Sequence, residues 1–195
     1  MTGRLKAEGL WNEAYRVWLH QWQRPVPLLF NGEFEGEWLA QGFDWEVAGP
    51  NDHRAGARVR RVAQPGRGHV LRVAFDGRRF RSPIIRQQMV LPAEHYRLQG
   101  DWQSNTLRSE HGLAWVLSCL GAAGGQPREL ARSEALRPTG RSWKTWQLEV
   151  EVPAQDCGPG LQLALEPQAG FEARAGVHGD MFFDAMSLIV APAKD

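Results

Sequence analysis

The sequence predicts an all-β fold, a two-sheet antiparallel sandwich preceded by a short N-terminal amphipathic helix. Three observations predict it. After Pro27, apolar and polar residues alternate at period two through most of the chain, as in strands with one face buried. The 195 residues include 21 Gly and 12 Pro, which separate short apolar runs in the manner of turns. Only the N-terminal stretch follows helical spacing.

That stretch is "RLKAEGLWNEAYRVWLHQWQ", where Trp11, Tyr15, Trp18, Leu19 and Trp22 recur three or four residues apart and form one stripe. Pro25 and Pro27 end the helix, because proline lacks the amide the next turn needs. The division is therefore a helical segment over 1–25 and a sandwich over 28–195. Tryptophans on one stripe need a partner, either the following domain or another protein.

The strands follow in order. "HVLRVAF" places Leu71, Val73 and Phe75 on one face. "HYRLQGDW" sets Tyr96, Leu98, Gly100 and Trp102 against Arg97, Gln99 and Asp101. "GLAWVLSC" groups Leu113, Trp115, Leu117 and Cys119, and "WQLEVEVP" groups Trp146, Leu148, Val150 and Val152. "GLQLALEP" and "MFFDAMSLIV" complete the set. Between them lie "AGPNDHRAG", "AQPGRG", "FDGRR", "GAAGGQP", "RPTGRS" and "QDCGPG". The spacing is that of roughly nine or ten strands.

Composition narrows the function. Hydrophobic content of 43% supports a packed core, and a net charge of +1 argues against bulk binding to nucleic acid or anionic lipid. No apolar run reaches the length of a membrane span, and residues 1–20 carry no signal-peptide core. The chain is then either cytosolic as it stands or one domain of a longer exported protein. Neither a Gly-rich phosphate loop nor a Gly-x-Ser-x-Gly elbow is present, and the six His are scattered, so the expectation is a non-catalytic protein. Cys119 and Cys157 read either as two buried thiols or as a disulfide.

In their order, "NGEFE", "MVLPAEHYRLQG" and "FFDAMSL" resemble three segments of the jelly-roll (galactose-binding-like) carbohydrate-binding modules of cellulases and xylanases. The resemblance covers about residues 30–190. "GLAWVLSC", the spacing of Trp146, Pro153 and Cys157, and "FFD" are more similar still to the sandwich domain that ends some bacterial tetratricopeptide-repeat proteins of the cell envelope. That second likeness implies a periplasmic or extracellular protein, an N-terminal helix closing a helical-repeat region, and a bonded Cys119–Cys157 pair. The sequence departs from the modules at Glu33, where Asp is usual, at Ala185, where a second Asp or Asn is common, and at Ala93, where the turn has Gly.

Site expectations follow. In such modules a structural Ca²⁺ often joins the first and last strands, and Glu35 and Asp184 match its carboxylates. Asp184 shares strand parity with Phe182, Met186 and Leu188, which reads as the inward face, so it needs an ion, an Arg or backbone amides. The leading expectation is an accessory module that binds polysaccharide, and the alternative is a protein-interaction or structural domain without a small ligand. Polysaccharide binding by this architecture needs hydroxyl-binding polar groups and a stacking aromatic. The outward parity of two strand segments taken as neighbours supplies Arg86 and Gln88, then Arg97, Gln99 and Asp101, and Trp143 in "GRSWKTW" supplies a loop aromatic. Trp38, Phe43 and Trp45 read as plugs of the sandwich end.

Overall fold

The computed structural model describes residues 1–23, 25–47, 56–121, 126–155 and 157–192. The expected turns over 48–55 and 122–125 lie outside them. Among the described residues, ten strands form two five-stranded antiparallel sheets, as the alternation predicts. The first sheet has the order β1 (Trp45–Val47), β4 (Ile85–Met89), β9 (Leu161–Pro167), β6 (Leu113–Cys119), β7 (Arg128–Arg132). The second has the order β2 (Ala57–Gln64), β3 (Gly68–Asp76), β10 (His178–Val190), β5 (His95–Gln103), β8 (Lys144–Glu151). A four-residue helix, α3 (Glu172–Ala175), precedes β10.

The inward faces meet in one core, with Trp115 at its centre and fully buried. Its indole ring lies 5.8 Å from Trp45, 6.1 Å from Trp146 and 5.3 Å from Phe183. The opening "NGEFE" stretch docks on the last strand. The Asn31 side chain closes a turn on the backbone of Gly36, and Phe34 is buried against Trp45. Gly32 accepts the Met186 amide at 3.0 Å, and a Cβ at Gly32 would stand 2.1 Å from the Met186 carbonyl oxygen. Only glycine admits that approach.

The N-terminal segment is two helices rather than the single one the stripe predicts: α1 (Thr2–Ala7) and α2 (Trp11–His20). They part at Gly9, whose φ of 80° leaves the right-handed helical region. The stripe finds its partner within the chain. Trp11, Ala14 and Trp18 are buried with Phe43, and Phe30, Val90 and Leu120 of the sandwich end pack beside them. Phe43 therefore plugs this helix–sandwich joint, whereas Trp45 belongs to the central core and Trp38 packs at its margin.

Lys6 fastens α1 to the sandwich. Its ammonium donates to Gln88 Oε1 at 2.9 Å and to the Gly42 carbonyl, and lies 4.2 Å from the Phe43 ring centre. Burial pulls its pKa down to about 8, against the attraction of Glu46. From pH 8 to 10.5 the unfolded chain keeps a proton on Lys6 that the folded one has released, so stability rises with pH in that window. The expected rise is at most about 3 kcal/mol. Urea melts between pH 7.5 and 9.5 should show it in the wild type, and Lys6→Met should remove it.

Candidate functional site

The residues expected to bind ligand divide between the two sheets. Arg86 and Gln88 stand on β4 of the first sheet, while Arg97, Gln99 and Asp101 stand on β5 of the second. They cannot form one surface, because the segment between β4 and β5 carries the chain from one sheet to the other. Each set must be judged with its own neighbours.

The outer face of the first sheet is closed by its own side chains. One cross-strand row reads Glu46, Arg86, Ala164, Val116, Arg132. Arg86 pairs with Glu46 at 2.8 Å. Arg132 pairs with Glu129 at 2.6 Å and reaches over β6 to Glu166 at 3.6 Å. Ala114, Val116 and Ala164 beneath are buried. Burial raises the pKa of the Glu166 carboxyl, partly offset by Arg132. Lys6 occupies Gln88 from above. No aromatic ring stands in these rows.

The outer face of the second sheet carries an aromatic ring within its rows. A row across four strands reads Arg60, Arg72, Phe182, Gln103. Phe182 is half-buried, whereas Met181 and Phe183 on either side are fully buried and point inward. The expected parity of β10 is thus reversed in its first half. The reason is a β-bulge: Asp184 pairs with Asp101 and Ser187 with Gln99, so two residues of β10 oppose Gly100 alone. Ala185 takes a φ of 50° there, and the extra residue flips the side-chain parity. Met186 and Leu188 beyond the bulge do point inward, and Asp184 before it faces out.

Three of the expected site residues converge around one that the sequence did not single out. The bulge register sets the carboxylates of Asp184 and Asp101 directly opposite one another. Arg67, from the β2–β3 turn, donates Nη1 to Asp184 at 2.9 Å and Nη2 to Asp101 at 3.0 Å. Its guanidinium lies 4.0 Å from the ring centre of Trp143, within cation–π range. Thr145 donates to the second Asp101 oxygen at 2.8 Å, and the Ala185 amide donates to Asp184 at 2.7 Å. Burial works against the charged Arg67, but the bonds and charges of Asp184 and Asp101 outweigh it and hold its pKa above the ordinary arginine value. Further along, Gln99 pairs in register with Ser187 and Gln147, and Arg97 donates to Glu149 at 3.0 Å.

Glu35 and Asp184, in this arrangement, do not fit a Ca²⁺ cage. Asp184 already faces a guanidinium, which a cation would have to displace. Glu35 accepts the His69 amide at 3.0 Å and meets His69 Nδ1 at 3.1 Å. The His69 amide bond and the His69 ring hold the Glu35 carboxyl below its usual range. Among the described residues, no three His, Cys, Asp or Glu side chains cluster as metal ligands.

Arg67→Ala is expected to cost about 1–3 kcal/mol, the scale of charged hydrogen bonds lost and like charges left opposed. Adding Asp101→Asn should recover part of it in urea melts, because one of the opposed charges is then gone.

Cys119 and Cys157 are bonded, with Cα atoms 4.8 Å apart. The disulfide ties the end of β6 to the turn before β9.

No protein-family model matches the sequence, and no curated protein matches it. Solved structures do. A CBM4 carbohydrate-binding module aligns over 84% of this chain and 99% of its own, at 13% identity and a TM-score of 0.58. The fold is that of carbohydrate-binding modules. The CBM22-1 xylan-binding domain of Paenibacillus barcinonensis Xyn10C shares this module fold over 84% of the chain and 94% of its own length, with 16% identity and a TM-score of 0.54. An arabinose-bound GH51 α-L-arabinofuranosidase contains it as well; 26% of that chain aligns with 84% of this one, at 15% identity and a TM-score of 0.52.

Proposed function

We propose that this chain is a non-catalytic carbohydrate-binding module of an exported protein, and that a glycan lies on the outer face of the second sheet. The observation that carries the reading is the pairing of aromatic and polar groups on that face. Phe182 stands opposite Gln103; Asp101 and Gln99 follow in further rows along β5, and Trp143, with Arg67 over one ring face, adds a loop aromatic beside them. The described rows of the first sheet's outer face hold no such ring. The module fold supports the same reading. The disulfide supports export, since such bonds persist in oxidising compartments. The resemblance to envelope proteins adds a further part: α1 and α2 end a helical-repeat region, joined to the sandwich through Trp11 and Trp18.

Titration calorimetry of the intact protein against a panel of soluble polysaccharides tests it. The expected result is binding to at least one polymer, weakened about tenfold by Phe182→Ala or Trp143→Ala, the upper range for an aromatic contact. Binding that survives both changes and disappears with Arg86→Ala would move the site to the first sheet and end this reading. So would a panel with no binding at all.

A further inference from the structure

The outer face of the second sheet has a basic end. Arg58 and Arg60 project outward from β2, and Arg72 from β3, so that Arg60 stands directly opposite Arg72 and Arg58 opposite Ala74. Like charges directly opposed across strands destabilise a sheet. These three arginines line a shallow cavity of about 270 Å³ with Ala74, Phe75 and Asp76. Their counter-charges are incomplete. Asp76 is held by Arg78 at 2.5 Å and reaches Arg58 only at 3.5 Å. Asp180 pairs with Arg72 at 2.9 Å. Arg60 is exposed and has no ion pair among the described residues.

The cavity opens onto the proposed glycan track. Arg60 and Arg72 begin the row that continues through Phe182 to Gln103. Neighbouring positions in such a row are about 5 Å apart, the scale of one pyranose ring. A ring stacked on Phe182 therefore sets the next sugar against Arg72 and Arg60. Guanidinium groups present planar, paired donors that match a carboxylate. From this geometry we infer that the ligand is an acidic polysaccharide, with the carboxylate of a uronic acid residue seated between Arg60, Arg72 and Arg58. The inference rests on the glycan reading of this face and adds the ligand class to it.

Polygalacturonate and alginate, each compared with its carboxyl-reduced neutral counterpart, supply the test by calorimetry at low and moderate salt. The intact protein is expected to bind the acidic polymer at least tenfold more tightly than the neutral one, and the difference should shrink as salt rises. Arg60→Gln, which breaks no ion pair among the described residues, should remove most of that difference. Phe182→Ala should weaken both. Equal binding of acidic and neutral polymers, with Phe182→Ala still damaging, would overturn the acidic assignment and leave the glycan reading standing. No binding of either kind by the wild type would sink both. Displacement of polygalacturonate by equimolar inorganic sulfate would overturn the uronate assignment and make the cavity a general anion site.

Discussion

Trp115→Ala is expected to destabilise the protein by about 3–5 kcal/mol, the range for removing a large buried aromatic. Trp115 bridges the sheets, touching Trp45 from the first and Trp146 and Phe183 from the second. An alanine there leaves a cavity that neither sheet can close without moving three other large rings, so little relaxation offsets the loss. For a chain of this size the melting temperature should fall by roughly 10 °C or more. Trp115→Phe separates volume from polarity. The Trp115 indole N–H has no protein hydrogen-bond partner among the described residues, and phenylalanine removes that donor while filling much of the space. Its cost should be well below that of alanine in thermal and urea melts. An equal cost for the two would mean that the indole edge itself, not the filled volume, joins the sheets.

Opening the disulfide is the second large effect. Cys119 and Cys157 lie 38 residues apart in sequence. Freeing a loop of this length returns about 3–4 kcal/mol of chain entropy to the unfolded state. The double variant Cys119→Ser, Cys157→Ser should melt roughly 10 °C below the oxidised wild type, with the fold preserved at low temperature. Reductant should lower the wild type towards the variant and leave the variant unmoved. A titration of free thiols in denatured, unreduced protein from its native source supplies the matching chemical count, with none expected. Two free thiols would refute the bond in that source and remove the support it gives to export.

Alternation along the strands was sufficient to specify the two-sheet sandwich and most of its core. Leu71, Leu98, Trp115, Leu148 and Leu163 all point inward as their parity requires. The site was less legible, for three physical reasons. Parity cannot foresee a bulge, and one extra residue near Ala185 turned Phe182 and Asp184 outward. Sequence neighbours need not be sheet neighbours, so Arg86 and Gln88 parted from Arg97, Gln99 and Asp101. The Arg67 contacts join residues separated by 34 and 117 positions. In "AQPGRG" that arginine resembles any exposed turn residue. Asp184 was nonetheless recognisable as a carboxylate needing a partner, and an arginine was one of the partners it called for. The helical stripe of tryptophans announced a contact without naming its surface, and Gly9 divided the helix the stripe predicted.

The strand order has a consequence for biosynthesis. The centre of the first sheet is β9 and the centre of the second is β10, the last two strands in the chain. While the polypeptide is being made, β4 and β6 have a gap between them, as do β3 and β5. Neither sheet can close until residues 161–190 have emerged. Until then the finished strands have bare edges, and the nascent chain stays loose, since non-local pairings form slowly. In a chain of this strand order, the two sheets are expected to lock together late, as β9 and β10 arrive.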